Sequence, residues 1–220
     1  MSIRQDVFGL ETVYRLQIEG LWSAKSDVWL SASPFFGSWE YGYFGGGGPG
    51  IVNVGRVDYS NDTATASPKG PLSVGRRRHG ATGNQSYGYF GGGLSPSTSS
   101  TVDRIDYAND TATASPKGPL SVARTYLAAT GNSNFGYFGG GFPGPSSVVD
   151  RIDYSNDTAT ASPKGPLSLV RYALAATGNS TAGYFGGGDP GTLSTVDRID
   201  YSNDTATASI KGPLNFSRRT

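Results

Sequence analysis

One sixteen-residue phrase occurs four times in this chain. DYSNDTATASPKGPLS begins at Asp58, DYANDTATASPKGPLS at Asp106, DYSNDTATASPKGPLS at Asp153 and DYSNDTATASIKGPLN at Asp200. A second marker, GYFGGG, has its tyrosine at Tyr43, Tyr89, Tyr137 and Tyr184, in steps of 46, 48 and 47 residues. Self-similarity at this period restricts a chain to a solenoid, a propeller or a similar array. A unit of this size cannot bury its own apolar face, so each repeat needs its neighbours.

Inside the repeat the signals are those of strands. TATAS alternates hydroxyl and methyl with a period of two. STVDRIDY places Ile105 and Tyr107 on one face and Val102, Arg104 and Asp106 on the other. The link SND or AND has turn chemistry, because Asn and Asp bond their own backbone and tolerate positive φ. VDRIDY-SND-TATAS therefore reads as a β-hairpin. KGPL breaks the chain. YLAATGN (Tyr126 to Asn132) is a further strand ending in a Gly-Asn turn, and FGYFGGG follows. Four strands in about 47 residues match one blade of a propeller. The expected fold is all-β, a propeller of about four blades. Its repeats span about 41–86, 87–134, 135–181 and 182–220, after an N-terminal segment of residues 1–40.

That segment differs in kind, holding all three tryptophans and all three glutamates of the chain. Its aromatic residues Trp22, Trp29, Phe35, Phe36 and Trp39 are candidate interface anchors, since such side chains dominate interfaces. The array is permuted relative to whole blades. The first repeat starts at Tyr41 without an AATGN strand, and the last stops at NFSRRT before one. A strand from Ser26 to Gly37 closes the ring on one reading. On others the chain is part of a longer array, or several chains share one ring.

Composition excludes several chemistries. A chain of 220 residues buries roughly 70% of its unfolded surface, enough for a real core. A net charge of +1 offers no strong field for nucleic acid or an anionic membrane. The absence of cysteine removes disulfides, thiolate metal sites and cysteine nucleophiles. No apolar run approaches the roughly 20 residues of a membrane helix, and the N-terminus lacks the apolar core of a signal peptide.

No motif carries catalysis. His79 is the single histidine, in GRRRHGATGN, so an imidazole metal centre or a triad has nothing to build on. The cluster Arg76, Arg77, Arg78 and His79 occurs in one repeat and reads as a solvated loop, with a basic binding patch as the alternative. The glycine runs lack the Gly-Lys-Ser/Thr of a phosphate loop. Gly45, Gly46, Gly91, Gly92, Gly139, Gly140, Gly186 and Gly187 instead suit close strand packing or bulges. Asp58, Asn61 and Asp62 are calcium-type oxygen ligands, yet a turn explains them too. Asn-Asp-Thr fits a glycosylation sequon four times. Arg104 with Asp106, Arg151 with Asp153 and Arg198 with Asp200 share strand faces and read as repeated structural ion pairs. The expected protein is not an enzyme and has no cofactor.

The pattern GYFGGG…STVDRIDYSNDT…GPLS-AR…AATGN resembles a Kelch repeat. The matching residues are Tyr137, Phe138, Gly139 and Gly140, then Asp153 and Tyr154, then Pro166 and Arg171. TAT stands where that family has a tryptophan after the hairpin. The wording is also similar to repeat proteins of marine cyanophages found in virion and tail-fibre-like proteins. These resemblances cover about residues 41–220. They imply a Kelch-like propeller and a virion appendage subunit, made in the host cytoplasm. Its partners would be other virion proteins, sister subunits and a host cell-surface protein or glycan. An intracellular Kelch-type adaptor and a propeller lectin are the rival readings.

Where the repeats differ is also informative. One differing segment follows the glycines and includes Pro49, Ile51, Leu94, Phe142, Pro143 and Asp189; the other follows GPLS and includes Arg76, Arg77 and Arg78. A fixed scaffold with differing loops is how a binding surface is built on a rigid fold. Drift at tolerant surface sites gives the same pattern.

Overall fold

The protein is described by a computed structural model over residues 40–144 and 146–219. Trp22, Trp29, Phe35, Phe36 and Trp39, and the closing strand expected over 26–37, lie outside the described residues. The architecture is all-β, with four antiparallel sheets in chain order. The first sheet has three strands, β1 (Tyr41–Gly45), β2 (Val54–Asp58) and β3 (Ser67–Lys69). The second has four, β4 (Gly80–Gly83), β5 (Tyr87–Gly91), β8 (Val102–Asp106) and β9 (Ser115–Lys117), while β6 (Leu94–Ser95) and β7 (Ser97–Thr98) form a small separate hairpin. The third holds β10 (Ala128–Gly131), β11 (Phe135–Gly139), β12 (Val149–Asp153) and β13 (Ser162–Pro163). The fourth holds β14 (Ala175–Gly178), β15 (Ala182–Gly186), β16 (Val196–Asp200) and β17 (Ser209–Lys211). Strands neighbour in sequence order, and β10 lies against both β4 and β14.

The expected hairpin over VDRIDY-SND-TATAS is corrected. The strand ends at Asp106, whose carboxylate accepts from Ala108 N at 3.0 Å and caps a 3-10 turn over Tyr107–Asn109. Asp153 and Asp200 cap the same turns in their repeats. The outer strand is SPK, not TATAS. The alternation in TATAS serves the neighbouring repeat instead. Ala114 is buried, and its N–H donates to Pro71 O of the preceding repeat at 2.8 Å. Pro116 sits in the outermost strand, where a missing N–H costs no ladder bond.

The core is divided into layers, one at each joint between consecutive sheets. The middle layer takes Tyr89, Val102 and Leu120 from the second repeat and Phe138, Ile152, Tyr154 and Ala161 from the third. The layers on either side repeat this set. Glycine makes the approach possible: a Cβ on Gly91 would stand 2.6 Å from the Phe138 ring, and one on Gly139 would stand 2.6 Å from Phe185.

Two ionic devices cross each joint. At the first, Tyr43 OH and Arg56 both donate to Asp110 Oδ2 at 2.8 Å, and Lys69 stands 3.2 Å from Oδ1. Tyr89, Arg104 and Lys117 meet Asp157 in the same way, and Tyr137, Arg151 and Lys164 meet Asp204. Burial, reinforced by the bond to Asp110, pushes the Tyr43 hydroxyl up to about 12, so it stays a donor. The expected pairing of each arginine with the aspartate two residues on is thereby corrected for Arg104 and Arg151. Their charges reach across to the next sheet, and only Arg198 turns to its own Asp200, at 3.2 Å.

The second device is a buried pair: Arg76 with Asp103, Arg124 with Asp150 and Arg171 with Asp197. Arg76 is 1% exposed, and its equivalents recur in two more repeats. The reading of Arg76 as part of a solvated loop is therefore corrected. Arg124 also donates to Val148 O at 2.9 Å, and Arg171 to Thr195 O at 2.9 Å. Each arginine thus pins its loop to the strand of the following sheet.

His79 takes the place that Leu127 and Leu174 hold in the later repeats. Those leucines are buried, and His79 packs edge-on against Phe90 with ring centroids 5.6 Å apart. Burial, with the nearby Arg76 charge, pulls the imidazole down from 6.5 to about 4. His79 Nδ1 has no hydrogen-bond partner.

These joints can be tested by substitution. Asp150→Ala strands a buried guanidinium and is expected to destabilise the protein by about 3–5 kcal/mol, read from the urea midpoint; a loss below about 1 kcal/mol would contradict the pairing. For His79 the folded pKa lies below the unfolded one, so the unfolded chain binds more protons and stability falls as pH drops from 6.5 to about 4. His79→Leu is expected to raise stability by about 1 kcal/mol at pH 7, and to flatten melting temperature against pH across that window. Parallel profiles for the two proteins would refute this account.

Candidate binding surface

Strand direction sorts the loops into two ends. β5, β11 and β15 run toward the glycines, so the segment after each GGG lies at one end of its sheet. The outer strands run the same way, so the GPLS segment after each also lies at that end. The two long differing segments, after the glycines and after GPLS, therefore share one rim. The opposite rim carries the near-constant DYSNDT turns, together with the short turns held by Asn84, Asn132 and Asn179, whose carbonyls accept from backbone N–H groups at 2.9–3.0 Å and whose next three residues differ between repeats.

On the differing rim the two segments are stitched together. Isolated bridges join Arg77 to Leu94, Thr125 to Phe142 and Tyr172 to Asp189. The next residues, Arg78, Tyr126 and Ala173, all have positive φ of 60°, 56° and 52°. Tyr126 N donates to Arg78 O at 2.8 Å and Ala173 N to Tyr126 O at 2.9 Å, so the strained positions form a continuous backbone chain across three repeats. Left-handed backbone at a non-glycine residue persists only where surrounding bonds impose it. Gly92 and Gly140, also at positive φ, take their place in this rim because a Cβ would meet the carbonyls of Arg124 and Arg171.

The side chains above this backbone form an aromatic cluster. Tyr126 and Phe142 each meet Tyr172 edge-on, with ring centroids 5.9 and 5.6 Å apart. The Arg78 guanidinium lies 4.3 Å from the Tyr126 ring centre, a cation–π distance. Phe142 is 42% exposed, and Arg78 and Pro143 are exposed beside it. Asp189 is buried; it accepts from Thr192 N at 3.0 Å and from Arg219 at 2.8 Å, and both bonds hold its carboxyl below the ordinary value. It shapes its loop and offers little surface to a ligand.

The other candidates from the sequence are placed as follows. Pro49 and Ile51 are exposed in the first repeat, and Leu94 and Arg77 are half-buried. Gly46 and Gly187 have positive φ, and Gly45 and Gly186 end their strands. Tyr126 and Tyr172 are not singled out by the sequence reading. The signal was available: each stands one or two positions after the arginine that follows GPLS, inside the segment that differs between repeats. Among the described residues no group of three or more His, Asp or Glu side chains is placed to hold a metal ion, and no helix is long and apolar enough to cross a membrane. No protein-family model and no curated protein matches this chain.

Proposed function

We propose that the chain is a non-enzymatic binding protein whose four sheets are blades of a Kelch-like propeller, and that it serves as an appendage subunit of a virion. The four-strand order, the layered joints and the resemblance of the repeat support the fold. One observation carries the function: the two long differing segments occupy one rim and are stitched there into a single backbone platform, whereas the variation on the other rim is confined to three-residue turns between the repeated DYSNDT turns. A scaffold that concentrates its variation on one rigid face is built to hold something there. The rim around Phe142, Tyr126 and Tyr172 faces a host cell-surface glycan or protein. The exposed Phe142 ring, backed by the half-buried Tyr126 and Tyr172, suits the apolar face of a sugar, and Arg78 supplies a charged donor. Residues 1–40 attach the subunit to other virion proteins or sister copies through their aromatic residues.

Retention of the fluorescently labelled chain on intact marine cyanobacterial cells tests this. Phe142→Ser and Arg78→Ala are expected to cut retention at least about tenfold, as loss of anchoring residues does, with unchanged melting temperature. Periodate treatment of the cells abolishes retention if the receptor is a glycan and spares it if it is a protein. Equal retention of all three proteins, or none on any strain, would overturn the assignment.

A further inference from the structure

The three joints inside the chain define what one sheet presents to the next, and the two outermost faces carry the unused halves. A trailing face offers a tyrosine, an arginine and a lysine that converge on a carboxylate, and a glycine that receives a backbone. On the fourth sheet these are Tyr184, Arg198, Lys211 and Gly212. Arg198 there turns back to Asp200, and a Cβ on Gly212 meets nothing within 4 Å, whereas one on Gly118 or Gly165 would lie 1.8 Å from a carbonyl oxygen of the next repeat.

A leading face offers a phenylalanine, a tyrosine and an aspartate. On the first sheet these are Phe44, Tyr59 and Asp62. Phe44 is 63% exposed, whereas its equivalents Phe90, Phe138 and Phe185 are 4%, 0% and 0% exposed. Asp62 is exposed, whereas Asp110, Asp157 and Asp204 are buried among their cations. Among the described residues no hydrogen bond or ion pair joins the first sheet to the fourth.

We infer that two copies of this chain join head to tail, the trailing face of the fourth sheet of one copy receiving the leading face of the first sheet of another. Tyr184, Arg198 and Lys211 then close on the second copy's Asp62, and Phe44 of that copy fills the seat over Gly186. The charges are complementary, three donors against one carboxylate, and the same geometry is realised three times within the chain. A contact that uses different faces on its two sides is heterologous, so it ends in a closed ring or continues as a filament. The joint is weaker than the internal ones in one respect. Arg218 stands where Arg76, Arg124 and Arg171 stand, but the position matching Asp103, Asp150 and Asp197 on the first sheet is Gly55. A Cβ on Gly55 would meet only Ala66 Cβ, at an ordinary 3.5 Å, so an aspartate fits there.

Sedimentation velocity of the 220-residue chain across a concentration series tests the inference. Wild type is expected to associate beyond the monomer as concentration rises. Asp62→Arg alone, and Arg198→Glu with Lys211→Glu, are each expected to remain monomeric with unchanged circular dichroism. Mixing the two variants is expected to restore association. The substituted leading face of the first variant then meets the substituted trailing face of the second with the charges exchanged, and the two unaltered faces meet as in wild type. Gly55→Asp supplies Arg218 with its carboxylate and is expected to lower the association midpoint about tenfold, the scale of a charged hydrogen bond. A wild type that stays monomeric throughout would overturn the joint, whether the faces close within one chain or are covered by residues 1–39. Association that persists unchanged in both charge variants would overturn it too, because another surface then does the pairing.

Discussion

Each of the first three sheets of this protein is completed by a carboxylate that belongs to the next one. Tyr43, Arg56 and Lys69 converge on Asp110 of the next repeat, and Arg76, Arg124 and Arg171 of the GPLS loops find their carboxylates on the following sheet. Taking such charges out of water is costly unless they are paired and hydrogen-bonded. The stacking of sheets is therefore specified by polar geometry as well as by the apolar layers between them. It is also directional, since in each ion pair that crosses a joint the cation lies in one repeat and the carboxylate in the next.

Small side chains follow from the same constraint. Sheets that exchange hydrogen bonds across their faces must approach closely, and the approach leaves room for glycine and alanine where rings and carbonyls arrive from next door. Gly91 beneath Phe138 and Gly118 beneath the Ala159 carbonyl are two such places. The high glycine content is thus a requirement of close packing. A single larger side chain at these points would separate two sheets and strand the charges between them.

Much of the architecture was legible in the sequence, and the failures share one cause. The repeat length, the count of four strands to a unit and the strand ending in Gly-Asn all follow from local pattern and turn chemistry. The misassigned pieces are those whose environment is supplied by another repeat. TATAS alternates like a strand because Ala114 and its equivalents are buried by the neighbour, not by a ladder. Arg104 and Asp106 share a strand face, yet each has a better partner elsewhere. Arg76 looked like part of a basic run because Arg77 and Arg78 follow it, although its spacing from GPLS matches Arg124 and Arg171. Of the candidate binding surface, Phe142 and Arg78 could be picked from differences between repeats. Tyr126 and Tyr172 needed the bridges that bring the two differing segments together.

The one-way joint has a consequence for how such a chain changes over generations. A repeat that is duplicated or deleted whole brings one set of donors and one set of acceptors with it, or removes one of each. The count stays balanced, and every new junction is the old junction again. The length of the array is then free to vary by whole units without any compensating substitution. Novelty can accumulate on the rim while the number of sheets beneath it drifts, because neither depends on the other.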